Sequence, residues 1–376
     1  MSFIPYGKQN IDEDDIKAVV EVLRSDFLTT GPKIEELEEA LAKYCGSKYA
    51  VVVSSGTAAL HLASLSLLNP EDKVLTTPNT FLATANSILY AGAKPIFVDI
   101  KEDGNIDLDL CEEKLKKDRS IKALYAVHFS GNPVEQEKLK RLKEKYGILI
   151  LEDCAHSLGA EYNGIKAGSC TNSDLSIFSF HPVKPITAGE GGAITTNDFR
   201  LYEKLKILRN HGMVKKDDML PWEYEMHELG FNYRITDIQC ALAISQLKKL
   251  DSFTKKRRQI ASIYDKTFKN FDFIKPLYPL NDRSSYHLYV VLVDFDQIDI
   301  TKEELFKQMR KIGIGLQLHY IPANRQPYYR KLGFGNEKHP VMENYYKKAL
   351  SLPIYPSLTK KDQNYVINRL LETLNV

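Results

Sequence analysis

From Tyr49 to Thr196 the chain alternates short apolar runs with longer amphipathic stretches, and this alternation constrains the fold more than any other feature. Runs of four to seven residues predict buried strands at Tyr49–Val53, Lys73–Thr76, Pro95–Asp99, Ile121–Val127, Ile148–Glu152, Asp174–Phe180 and Gly192–Thr196. Helical periodicity falls between or before them at Asp12–Ser25, Ala58–Leu68, Thr84–Ala91 and Val134–Tyr146. Strands that alternate with helices imply crossover connections and a mostly parallel sheet covered on both faces. After about Leu250 the pattern changes. A charged helix, Asp251–Phe268, leads into a β-rich run, Tyr286–Asp294, then a helix at Lys302–Lys311 and a strand at Gly315–Tyr320. Helices near Val341–Leu350 and Lys360–Leu374 end the chain. At 376 residues the length suits two domains. We expect a large α/β domain over 1–250 and a smaller α/β domain over 251–376.

Charge excludes some functions. Lys plus Arg number 51 and Asp plus Glu 49, a net +2, without the basic excess that a protein built to grip nucleic acid needs. The five cysteines, Cys45, Cys111, Cys154, Cys170 and Cys240, include no C-x-x-C pair, which argues against a disulfide framework or a zinc site. No signal-like or membrane-spanning apolar stretch is present, so a cytoplasmic protein is expected.

Three segments carry chemistry. SSGTAAL, Ser54–Leu60, follows a strand and opens a helix. Helix N-termini offer unpaired N–H groups to phosphate, with Gly56 allowing close approach and Thr57 able to cap; an ordinary capped turn reads the same way. ILILEDCAHS, Ile148–Ser157, ends a buried strand at Asp153, at the sheet edge where α/β proteins bind ligands. An acid there caps the next helix, binds a metal, or pairs with the cationic nitrogen of a heterocyclic cofactor. Finally, a strand ending at Phe180 runs into a loop holding His181 and Lys184, punctuated by Pro182 and Pro185 and closed by Gly189–Gly192. Burial would lower the pKa of Lys184 and make its amine a nucleophile for a Schiff base. The alternative is a surface loop lysine. His156 and His181, taken singly, read as packed or solvated residues, and nothing in their spacing suggests a metal. GFNYRITDIQ, Gly230–Gln239, reads as a helix entry capped by Thr236, and LQLHYIP, Leu316–Pro322, as an edge strand.

Together SSGTAAL, EDCAHS, FSFHPVKPITAGEGGA (Phe178–Ala193) and GFNYR, with the opening FLTTGPKIEELEEALAKYCG (Phe27–Gly46), resemble the DegT/DnrJ/EryC1/StrS sugar-nucleotide aminotransferases over essentially the whole chain. FSFHPVKPIT, HGMVKKD and LQLHY are most similar to the branch that serves pseudaminic acid biosynthesis by aminating C4 of a UDP-linked 4-keto-6-deoxy-L-sugar. The resemblance implies the fold of type I transferases dependent on pyridoxal 5'-phosphate (PLP): a seven-stranded, mostly parallel sheet plus a small C-terminal α/β domain, with about the first 12 residues packing as an arm on the latter. It implies L-glutamate as amino donor, 2-oxoglutarate as its product and pyridoxamine phosphate as the intermediate cofactor form. Lys184 takes the place of the Schiff-base lysine, Asp153 that of the acid at the pyridine nitrogen, and His156 that of the residue near the phenolic oxygen. Gly56, Thr57 and Ser179 match phosphate contacts, and Phe81 an aromatic over the ring. Asn232 matches an asparagine supplied by the partner of a homodimer. For the nucleotide sugar, Tyr6, Asp26, Phe27, Leu28, Thr29, Gln317, Leu318, His319 and Tyr320 occupy matching positions, together with Gly56, Ser179 and Asn232. A transaminase for another nucleotide-linked 4-keto or 3-keto deoxysugar would share every cofactor residue. A related sugar dehydratase would carry histidine in place of Lys184. A non-catalytic member would not need the set Lys184, Asp153 and Ser179, and a nicotinamide enzyme would need the absent G-x-G-x-x-G.

Overall fold

The computed structural model describes residues 3–374. Its main sheet has seven strands: β1 (Tyr49–Val53), β2 (Lys73–Thr76), β3 (Lys94–Phe97), β4 (Ile121–Val127), β5 (Leu149–Asp153), β6 (Leu175–Ser179) and β7 (Gly192–Thr196). They lie in the order β1-β7-β6-β5-β4-β2-β3. All run parallel except β7, which is antiparallel to both of its neighbours. Side chains alternate between two cores. In β1, Val51 and Val53 enter the core beneath the helix Gly56–Leu67, while Ala50 and Val52 face the core built on Leu37, Leu41 and Phe178. Strands buried on both faces read as unbroken apolar runs, which is why the sequence located them closely.

Register sets the functional edge. Val53 lies opposite Gly192, and Gly192 opposite Ser179. Val127, Asp153 and Ile177 form a second row on β4, β5 and β6. The chain leaving β1 and the ends of β5 and β6 therefore emerge side by side.

The C-terminal part has a three-stranded antiparallel sheet, Ile274–Pro276, Tyr289–Val293 and Ala349–Leu352. Its core gathers Tyr264, Phe268, Val291, Leu305, Leu350 and Leu370, joined by Ile4 from the chain start. Ile4 bonds through its N–H to the carbonyl of Gly313 (2.8 Å) and accepts the N–H of Gly315 (2.8 Å), and Tyr6 accepts the amide of Ile354 (3.0 Å).

Two expectations are corrected. No strand forms at Gly315–Tyr320. Backbone pairing there is split between Ile4 on one side and Ser351 on the other, so no continuous ladder develops. The strand expected from Tyr286 starts at Tyr289, because the buried Arg257 takes the carbonyl of His287 (3.2 Å) and Tyr286 has a positive φ of 49°. Among the described residues, no helix is long and apolar enough to cross a membrane.

Candidate active site

A cavity of about 560 Å³ opens at the edge where β1, β5 and β6 end. Twelve of the seventeen residues matched to family positions line it: Gly56, Thr57, Phe81, Asp153, His156, Ser179 and Lys184 from the sheet side, Tyr6 from the chain start, and Gln317–Tyr320 from the C-terminal part. The other five do not line it. Asn232 is exposed and bridges to Asn210; Asp26, Phe27, Leu28 and Thr29 are exposed, with the Leu28 carbonyl and Thr29 against the helix Asp237–Leu247.

The phosphate end is built by the turn after β1. Helix Gly56–Leu67 starts there, and its cap is Ser55 rather than Thr57: Ser55 Oγ accepts the amide of Ala58 at 3.0 Å. Ser55 has the extended backbone a cap requires, and Thr57 stands already inside the first turn. The first helical amides, Gly56 and Thr57, have no intrahelical acceptor and are available to an anion. Crowding explains the glycine: a Cβ on Gly56 would lie 2.7 Å from Ser179 Cβ. A Cβ on Gly192 would lie 2.5 Å from the carbonyl oxygen of Ser55.

Lys184 hangs from the loop between β6 and β7. That loop closes on Phe180, which donates its N–H to the Gly191 carbonyl (2.8 Å) and accepts from Ala188 (2.9 Å); Lys184 N bonds the His181 carbonyl (2.9 Å). The residue keeps partial exposure to the cavity, yet burial of the amine lowers its pKa to about 8, with the charge of nearby Asp153 opposing the shift. About a tenth of the amine is therefore neutral at pH 7, several hundredfold more than for a lysine of ordinary pKa, and a nucleophile needs that form.

Asp153 Oδ1 accepts the Ala155 amide (3.1 Å) and Oδ2 the hydroxyl of Thr84 (2.6 Å). Behind it, the buried Glu152 side chain is fixed by His128 (2.9 Å), Ser173 (2.5 Å) and Gln136 (2.7 Å). His156 is 4% exposed; its Nε2 meets Tyr320 Oη at 3.0 Å, while its buried Nδ1 has no protein partner. Burial, and then the charges of Lys184 and His319, hold its pKa well below the usual value. His319 bonds Ser351 through Nδ1 (2.8 Å), and burial brings its pKa to about 3. Phe81 is 58% exposed and offers its ring to the cavity.

Sequence reasoning missed Thr80, Thr84 and His287. Thr80 and Thr84 stand four apart at a helix start, one face of one turn, which is the signal that would have found them. His287 packs its ring, tilted by 43°, 4.4 Å from that of His156 but comes from a distant segment with no local pattern.

These groups fit pyridoxal phosphate. An amine of lowered pKa would suit an aldehyde, a twice-held carboxylate a ring nitrogen, free helix amides a phosphate, and an orphaned imidazole nitrogen a polar ring substituent. The class they define is the PLP-dependent transferase of fold type I. The DegT/DnrJ/EryC1/StrS aminotransferase model matches residues 9–371, and the chain belongs to that family. A Campylobacter jejuni protein named UDP-4-amino-4,6-dideoxy-N-acetyl-beta-L-altrosamine transaminase is 47% identical over 99% of this chain and 97% of its own. The structure of a Helicobacter pylori aminotransferase involved in pseudoaminic acid biosynthesis superposes with a TM-score of 0.93 at 37% identity, covering 100% of both chains. A Streptococcus pneumoniae structure described as a sugar aminotransferase in its PLP form gives 0.89 at 29% identity over 99% of each chain, and its pyridoxamine phosphate form gives 0.90. The cofactor is pyridoxal phosphate, exchanging with pyridoxamine phosphate.

Proposed function

We propose that this enzyme transfers the amino group of L-glutamate to C4 of UDP-2-acetamido-2,6-dideoxy-β-L-arabino-hexos-4-ulose. The product is UDP-4-amino-4,6-dideoxy-N-acetyl-β-L-altrosamine, in pseudaminic acid biosynthesis. One observation carries the choice of sugar: 47% identity, across nearly the full length, to a transaminase named for that product.

Each residue is given a role that its chemistry supports. When bound, pyridoxal phosphate supplies an aldehyde and a ring that accepts electron density. Lys184 would be the residue that holds the cofactor through its aldehyde, and its Nζ would be freed when glutamate binds. The freed Nζ would then move the proton from the glutamate α-carbon to the cofactor carbon, as base and then acid, and in the second half-reaction would carry a proton from that carbon to C4 of the sugar. Asp153 keeps the ring nitrogen protonated. Gly56 and Thr57, through backbone amides, and Ser179, through its hydroxyl, hold the phosphate. His156, neutral and tied to Tyr320, would serve the phenolic oxygen, and Phe81 would cover one ring face. Tyr6 and Gln317–Tyr320 bring C-terminal and N-terminal segments to the nucleotide sugar.

The chain is read as two units, 1–250 and 251–376, with the N-terminal arm tied to the second through Ile4 and Tyr6. The reading as a homodimer is supported by Asn232 lying outside its own cavity, since the resemblance of GFNYR implies an asparagine that serves the other subunit's cofactor; Asp26–Thr29, likewise outside the cavity, are kept as nucleotide-sugar positions. A cytoplasmic location suits five free, buried cysteines. The test is incubation of purified protein and glutamate with a panel of UDP-linked 4-keto and 3-keto sugars, reading the product by NMR. A C4 amine on the L-arabino substrate is expected. Preference for a different keto sugar would overturn the assignment of the sugar, and failure with all of them the assignment of the reaction.

A further inference from the structure

Two buried hydroxyls stand behind Asp153, and the roles given above leave them unused. Thr84 Oγ1 lies 2.6 Å from Asp153 Oδ2 and 2.7 Å from Thr80 Oγ1. Thr80 and Thr84 are each 1% exposed. An ionised carboxylate only accepts hydrogen bonds, so Thr84 donates to Asp153. A hydroxyl has one proton to give, so Thr84 then accepts the proton of Thr80. The chain therefore runs in one direction, Thr80 to Thr84 to Asp153.

This polarity matters in a buried site. A carboxylate that accepts oriented donors is favoured in its charged form and restricted to one rotamer. Oδ1 takes the Ala155 amide and Oδ2 the Thr84 hydroxyl, which leaves each oxygen with acceptor capacity. The two threonines also flank Phe81, the residue just before the helix Leu82–Tyr90, so the same turn holds an aromatic over the cavity and a donor on the acid.

We propose that Thr84, oriented by Thr80, is a positioning residue for the amino-transfer reaction. Its hydroxyl fixes Asp153 as an oriented acceptor for the cofactor ring nitrogen and couples that carboxylate to the turn that presents Phe81. The proposal rests on the assignment of Asp153 to the ring nitrogen.

The test compares Thr84→Val, Thr84→Ser, Thr80→Val and Asp153→Asn in the full-length protein. Pyridoxamine phosphate binding to the apoprotein is measured by fluorescence, and the glutamate half-reaction by rapid-mixing absorbance. Losing one hydrogen bond to a charged group predicts that Thr84→Val weakens pyridoxamine phosphate about fivefold and lowers the half-reaction kcat roughly tenfold, with KM for glutamate within about twofold. Thr84→Ser keeps the donor and should stay within about threefold of wild type on both readouts; Thr80→Val should fall between wild type and Thr84→Val, at a loss of roughly threefold. Wild-type values for Thr84→Val would overturn the proposal. So would a Thr84→Ser variant as impaired as Thr84→Val, because the methyl packing and not the hydroxyl would then matter. If Thr84→Val fails to fold, Thr80→Val decides: wild-type kcat and affinity there overturn the relay. Asp153→Asn separates the two levels of the argument. A fully active Asp153→Asn enzyme removes the ring-nitrogen assignment itself, whereas an impaired one beside an unimpaired Thr84→Val removes only the role of Thr84.

Discussion

Tyr320 Oη and His156 Nε2 meet at 3.0 Å, joining positions 164 residues apart across the mouth of the cofactor cavity. The phenol ring packs edge-on against Phe129 and tilts toward Phe81, with centroids 6.2 and 6.1 Å away. Tyr320→Phe would keep this packing and strip His156 of its one partner. A buried polar group left unpaired costs about 1–3 kcal/mol, so the variant should lose that much stability in chemical denaturation of the apoprotein. An unchanged midpoint would mean that the contact contributes nothing.

Lys184→Ala should abolish turnover and the visible absorbance of covalently held cofactor. Retention of both would remove Lys184 from the centre of the chemistry. With the wild-type amine near pKa 8, the rate of covalent uptake of pyridoxal phosphate by the apoprotein should rise about tenfold per pH unit below 8 and level off above it. Stopped-flow absorbance across pH 6–9 would show a rise that continues through pH 9 without levelling if Lys184 were an ordinary exposed lysine.

The same shift has a stability consequence. Burial lowers the pKa from 10.5 to about 8, so between those values the unfolded chain binds a proton that the folded amine has lost. Stability contributed by this group therefore rises with pH from about 8 to 10.5, and the full penalty applies below 8. Lys184→Met lacks the penalty. It should exceed the wild-type apoprotein by roughly 2 kcal/mol at pH 7, allowing for partial exposure of the side chain, and the gap should close toward pH 10.5. Parallel pH dependences for the two proteins would contradict the lowered pKa.

Asp153→Asn should reduce turnover about a hundredfold or more while weakening cofactor affinity by less than about tenfold, because the amide still accepts hydrogen bonds but no longer holds a proton on the ring. Equal losses in both quantities would make Asp153 a binding residue only.

Gly56→Ala and Gly192→Ala test the cradle. The first would press a methyl against Ser179, and the second would drive one into the Ser55 carbonyl, 2.5 Å away. We expect Gly56→Ala to weaken pyridoxal phosphate by at least about tenfold, and Gly192→Ala to destabilise the fold by roughly 1–3 kcal/mol as well, since backbone yields less readily than a side chain. Calorimetry and cofactor titration give both numbers.

The strands of the main sheet and the chemical segments at Ser54–Leu60, Ile148–Ser157 and Asp174–Asp198 were legible because their signals are local: apolar runs, a helix start, glycine and proline punctuation. The cavity joins them through register, which places Val53, Gly192 and Ser179 in one row. What the sequence concealed came from distant partners. Thr84 is an unremarked residue in an apolar helix until Asp153 is set beside it, and His287 acquires meaning only against His156. Leu316–Pro322 misled because its alternation imitates a strand, while its pairing is divided between Ile4 and Ser351. Thr57 misled because two neighbouring hydroxyls compete for one cap, and backbone geometry selects Ser55.

Strand β7 is the sole member of the main sheet to run against the rest. A parallel β7 would require a crossover of a dozen or more residues over one face, usually carrying a helix, before the chain could re-enter. The reversal instead lets the connection from β6, residues 180–191, leave and re-enter the sheet at the same edge without crossing a face, with its two ends tied together where Phe180 bonds Ala188 and Gly191. Lys184 thus sits on a loop whose two ends are braced by the sheet, and the position of its amine is inherited from the stiffness of that sheet.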